Sequence, residues 1–155
     1  MSLIGLIIST ILILILFIVT NFTQKRGQIK TYFSNTLICL LICCIGLILQ
    51  ILFNNINPLY FDYFVYIGTC FLPVFFLLFS ICFTKTKFKF NKKYLLLFIV
   101  PITSLIVLWT NHFHHLFYKV YSTNFADTVY GTYFYFVHSF QLIISCSSFI
   151  FFLSI

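Results

Sequence analysis

Three imidazoles stand close together in the run Asn111-His-Phe-His-His115, and a fourth follows at His138. Imidazole ligates zinc and copper and titrates near neutral pH. Adjacent histidines rarely close a tetrahedral site without a donor from elsewhere, and Asp127 and His138 are the candidates for that role. The preferred reading is a polar helix end whose imidazoles bond loop carbonyls or water, with pH response as its functional counterpart. No metal and no other cofactor is assigned. Nor is there a Gly-rich phosphate loop or a phospho-acceptor histidine helix, so no catalytic residue is assigned and the chain reads as non-enzymatic.

His138, Gln141, Ser145 and Ser148 recur at helical spacing and share one face. Polar side chains in hydrocarbon look inward, to other helices or to a hydrated cavity. Interhelical hydrogen bonds of about 0.6 kcal/mol each are the plainer role; a ligand-facing cavity is the other, with Gln50 as a candidate partner. Asn111, His114, His115, His138 and Gln141 are therefore the candidate sensing or bundle-facing residues, and they are expected to converge. Pro73 and Pro101 lie inside apolar stretches and remove N–H bonds to Thr69 and Leu97, which predicts two helix kinks. The six cysteines all fall in apolar stretches and read as small packing residues rather than a disulfide framework.

The elements that must position these residues are membrane spans. The chain is 62% hydrophobic and only 7% charged, against about 25% charged in a soluble domain. Apolar stretches of ~20 residues match a ~30 Å hydrocarbon core. Five spans are expected: 3–22, 32–53, 63–83, 94–110 and 133–155. Eight of the nine Lys and Arg residues sit in two alternate loops, Lys25, Arg26 and Lys30 in one and Lys85, Lys87, Lys89, Lys92 and Lys93 in the other. The positive-inside rule makes those loops cytoplasmic and the N-terminus external. Asp62 and Asp127 fall in the segments on the opposite side, and Asn54, Asn55, Asn57 and Pro58 predict a tight outer turn. The net charge of +7 reads as contact with anionic lipid headgroups rather than with nucleic acid. Segments 116–121 and 129–133 have partly alternating, β-prone residues and predict a hairpin over the bundle, turning at Asn124 to Asp127.

Four local patterns, in order, carry a resemblance. Gly68-Thr-Cys-Phe-Leu-Pro73-Val-Phe-Phe-Leu-Leu-Phe79 is the first; Pro101 followed by Thr110-Asn111 and His114-His-Leu-Phe117 is the second. Tyr130-Gly131 and Phe136-Val-His138 complete the set. Together they resemble the N-terminal seven-transmembrane region of membrane-bound histidine kinases. That resemblance implies an external N-terminus, seven helices and a cytoplasmic output, usually a kinase core. The chain reads as a single all-α transmembrane domain over 1–155, five helices of an incomplete seven-helix bundle, truncated after the fifth. The function expected is a sensory input module of a signalling kinase, with the bilayer, a small ligand and a second copy of the chain as partners. The alternative is a fragment of a multi-span transporter or membrane-embedded enzyme.

Overall fold

The computed structural model describes residues 3–23, 27–53, 59–84, 91–122 and 127–153, with the backbone alone at Lys93. Helices α1 (Leu3–Thr23), α2 (Gln28–Leu52) and α3 (Leu59–Thr84) come first. A 3-10 helix over Lys92–Phe98 leads into α4 (Ile99–Trp109) and the single turn α5 (Asn111–His114). Strands β1 (Tyr118–Val120) and β2 (Val129–Tyr130) then precede α6 (Thr132–Leu153). Among the described residues, four helices, α1, α2, α3 and α6, are long and apolar enough to cross a membrane, and Tyr94–Trp109 forms a shorter apolar helix.

Helix α3 is the hub. It packs against α2, α4 and α6, while α1 lies on α2. The α2–α3 seam is tight because Gly68 has no Cβ: one added there would collide with the Cys39 carbonyl and Cys43 Sγ. Small residues allow such close approach where helices associate in lipid. Cys39, Cys43, Cys70 and Cys82 are buried, and all six cysteines are free thiols.

Two apolar clusters fill the bundle. Leu77, Ile81 and Ile144 join α3 to α6 near the C-terminal end of α3. Cys70, Leu105, Leu108, Phe117, Tyr118 and Val137 form the other, at the strand-bearing end. Phe117 is wholly buried although it lies between helices. Phe117 thus anchors the loop in the bundle. Its strands pair antiparallel, Tyr118 with Tyr130 and Val120 with Val129.

Some boundaries differ from expectation. Asp62 stands in the first turn of α3, not in a connecting loop. Lys30 lies in the first turn of α2 and donates to the Asn21 carbonyl at 2.7 Å, near the end of α1. The stretch expected as one kinked span, 94–110, is two helical forms in series. Pro101 sits in the first turn of α4, where a missing N–H costs little; the residues preceding α4 wind in the tighter 3-10 form. By contrast α3 continues through the buried Pro73. Of the basic residues, Lys25, Arg26, Lys85, Lys87 and Lys89 lie outside the described residues, as do the turn at 54–58 and most of the strand connection.

Candidate functional site

A cavity of about 830 Å³ opens at the strand-bearing end of the bundle, between α2, α3, α6 and the strand segment. Its polar atoms come from every side. Helix α2 gives Gln50; α3 gives Asp62, Tyr66 and Thr69; α6 gives His138 and Gln141. The strand segment adds Tyr118, Tyr121, Ser122, Thr128 and Tyr130. The size falls within the ~300–1,000 Å³ of small-molecule sites.

Periodicity places these residues. Asp62, Tyr66 and Thr69 follow one another at four and three positions, so they share a face of α3. On α6, Val137, Ile144 and Ser148 are buried and Gln141 is half-buried, whereas Leu142, Ile143, Phe149 and Ile150 are exposed. The polar stripe of α6 therefore faces the bundle.

The Tyr118 hydroxyl donates to Asp62 Oδ2 at 2.7 Å, and the Tyr66 hydroxyl lies 3.2 Å from it. A phenol has one proton to give. With that proton on the carboxylate, the Tyr66 hydroxyl supplies the second contact. Burial pushes the Tyr118 phenol far above its usual value, and Tyr66 and Asp62 beside it push it further. Burial likewise raises Tyr121 and Tyr130. The Tyr118 phenol is thus a neutral donor to Asp62. Tyr121 also accepts a bond from Gln50 Nε2 at 3.4 Å, so the strand segment is tied to α2 as well as to α3.

Aromatic rings build one wall. Tyr130 stacks on Phe134 at 3.8 Å between centroids, and Phe134 stacks on His138 at 3.9 Å. His138 Nδ1 is 3.0 Å from the Phe134 carbonyl, which accepts if that nitrogen carries the proton. Gln141 Nε2 donates to the Thr69 carbonyl at 3.4 Å.

The expected site residues separate into two groups. His138 and Gln141 line the cavity, with Gln50 opposite. Asn111, His114 and His115 do not line it. Asn111 Oδ1 accepts from the N–H groups of Phe117 and Tyr118, and Nδ2 donates to the Tyr118 carbonyl. It holds the entry of β1 in place. His114 Nδ1 accepts from the Leu116 N–H at 3.0 Å, which puts the ring proton on Nε2, aimed at Thr110 Oγ1. His115 takes the left-handed conformation, φ 50°, that ends α5. Among the described residues no three His, Cys, Asp or Glu side chains gather as a metal would require. Asp62 and the tyrosines were missed by sequence reasoning. Their signal was present: a lone acid at helical spacing from Tyr66 and Thr69 at a span end.

Several apolar helices with a polar cavity at one end define a multi-pass helical membrane protein. Residues 5–155 match the family model described as the N-terminal 7TM region of histidine kinase, and the chain belongs to that family. No curated protein and no solved structure matches the chain.

Proposed function

We propose that this chain is the ligand-reading input module of a membrane signalling protein, with the N-terminus and the cavity on the outer side. The observation that carries the reading is the shared lining of the cavity. One ligand there touches α2, α3, α6 and the strand segment at once. A ligand shifts a conformational equilibrium only by its differential affinity for the two states, and a site built from several separately movable elements supplies such a difference. The strand segment serves as a hairpin lid. It is pinned to α3 through Tyr118–Asp62 and to α2 through Tyr121–Gln50.

The topology follows the distribution of charge. The basic segments at 25–30 and 85–93 rest against cytoplasmic anionic headgroups. Tyr94–Trp109 is a fifth span despite its shortness. From Tyr94 the 3-10 stretch to Phe98 and the α-helix to Trp109 extend together about 26 Å, close to the hydrocarbon thickness, because the 3-10 form rises ~2.0 Å per residue.

The test joins the chain to a histidine-kinase core and reads phosphorylation in cells. His138→Leu and Gln50→Leu shift the output by severalfold at unchanged membrane level. Normal output from both variants contradicts a sensing role for the cavity.

A further inference from the structure

The cavity has a polarity of its own. Among the described residues, Asp62 is the one carboxylate that lines it, and neither Lys nor Arg does. Lys119, next to Tyr118 on β1, is exposed. Tyr66, Tyr118, Tyr121, Tyr130 and Phe134 line the same cavity. Phenol faces attract cations through the ring quadrupole. Among the described residues, Asp62 accepts one side-chain hydrogen bond, from Tyr118. A carboxylate has about four lone-pair sites, so acceptor capacity remains. Asp62 is only partly buried, which leaves it open to the cavity.

We infer that the cavity binds a small organic monocation, an amine or quaternary ammonium, with its charge at Asp62 and its apolar part against the tyrosines. Divalent metal ions do not suit the site, because among the described residues no three His, Cys, Asp or Glu side chains gather there. An anion would meet Asp62 with no Lys or Arg among the described lining residues to offset it. A purely apolar ligand would leave the remaining hydrogen-bonding capacity of Asp62, Gln50, His138 and Gln141 dry, at kcal/mol-scale cost. The amine's N–H groups or the onium charge match what the lining offers.

This assignment rests on the cavity being the ligand site, and its test is independent of signalling. The purified chain in lipid nanodiscs is titrated with 2-phenylethylammonium, 2-phenylethanol and phenylacetate, which share a skeleton and differ in charge. Ligand-observed NMR reads Kd. The wild type binds the cation at least tenfold more tightly than the alcohol, and phenylacetate binds weakest. Asp62→Asn keeps an acceptor for Tyr118 and cuts the cation's advantage below threefold. If Asp62→Asn does not accumulate, the wild-type ranking decides alone. Equal binding of cation and alcohol, tighter binding of the anion, no binding of any probe at millimolar concentration, or a preference that survives in Asp62→Asn overturns the assignment. A cation bound selectively by a chain whose cavity variants leave kinase output unchanged overturns the sensory reading and not the site. Output that responds to cavity variants without a cation preference overturns only the ligand class.

Discussion

Gln141 of α6 donates to the carbonyl of Thr69, four positions before Pro73 on α3. In an unbroken helix that oxygen accepts from the N–H at position 73, and proline has none. Neighbouring helices satisfy such freed carbonyls in membranes. The proline of one helix and the glutamine of another are thus halves of one feature, and they set where α6 docks.

That pairing predicts non-additivity. Gln141→Leu leaves the Thr69 carbonyl without its partner and costs about 1 kcal/mol of stability. In a Pro73→Ala background the helix supplies its own N–H, and the same change costs close to zero. A double-mutant cycle read by unfolding in mixed micelles measures the coupling; additive effects contradict the link.

The lid contact gives a second expectation. Tyr118→Phe removes the donor to Asp62 and costs about 1–3 kcal/mol. Its local signature is faster amide exchange at Gly131 and Tyr133, which donate to the carbonyls of Phe117 and Leu116. Asp62→Asn, which retains an acceptor, loosens these amides less. Equal exchange in wild type and Tyr118→Phe removes the lid's anchor from the account.

How much of this was legible beforehand differs residue by residue. The apolar spans and the inward face of α6 follow from length and 3.6-residue periodicity, which puts His138 and Gln141 on that face. Sequence alone puts Asp62 in a loop, because the apolar run begins at Tyr63, whereas α3 starts a turn earlier at Leu59. Asn111 and His114 have the side chains of site residues, yet their partners are backbone groups of residues 116–118. Residue type shows what can bond, while the fold of the following segment decides what it bonds to. Pro101 reads from sequence as a mid-span kink, because sequence does not reveal that a 3-10 segment precedes α4.

Gly131 tests the seat of the loop. A Cβ at this position would run into the Leu116 carbonyl oxygen and carbon. Gly131→Ala destabilises by about 1–3 kcal/mol or more. Gly27→Ala is its control: a Cβ there meets nothing within 4 Å, and the cost stays below about 1 kcal/mol. Similar thermal midpoints for the two variants contradict the close approach of loop and α6.

Alkaline pH separates the phenols. Tyr118 ionises near its ordinary value of about 10 in the unfolded chain, but burial pushes that value up in the fold. Its stabilising contribution is whole below about pH 10 and is lost as pH rises beyond. Unfolding midpoints therefore drop more between about pH 9 and pH 11 in the wild type than in Tyr118→Phe. Parallel decline of the two proteins would show that Tyr118 is not held neutral by the fold.

The central claim is that the cavity faces outward on a chain whose basic segments face in. Single cysteines at Thr128, Gln28 and Asn91 test it, with wild-type labelling subtracted for the six native thiols. Thr128 lines the cavity; Gln28 begins α2, and Asn91 precedes the 3-10 helix. In intact cells an impermeant thiol reagent labels Thr128→Cys, and labels Gln28→Cys and Asn91→Cys only after permeabilisation. Labelling of Gln28→Cys and Asn91→Cys from outside, with Thr128→Cys protected until the membrane is opened, contradicts the account.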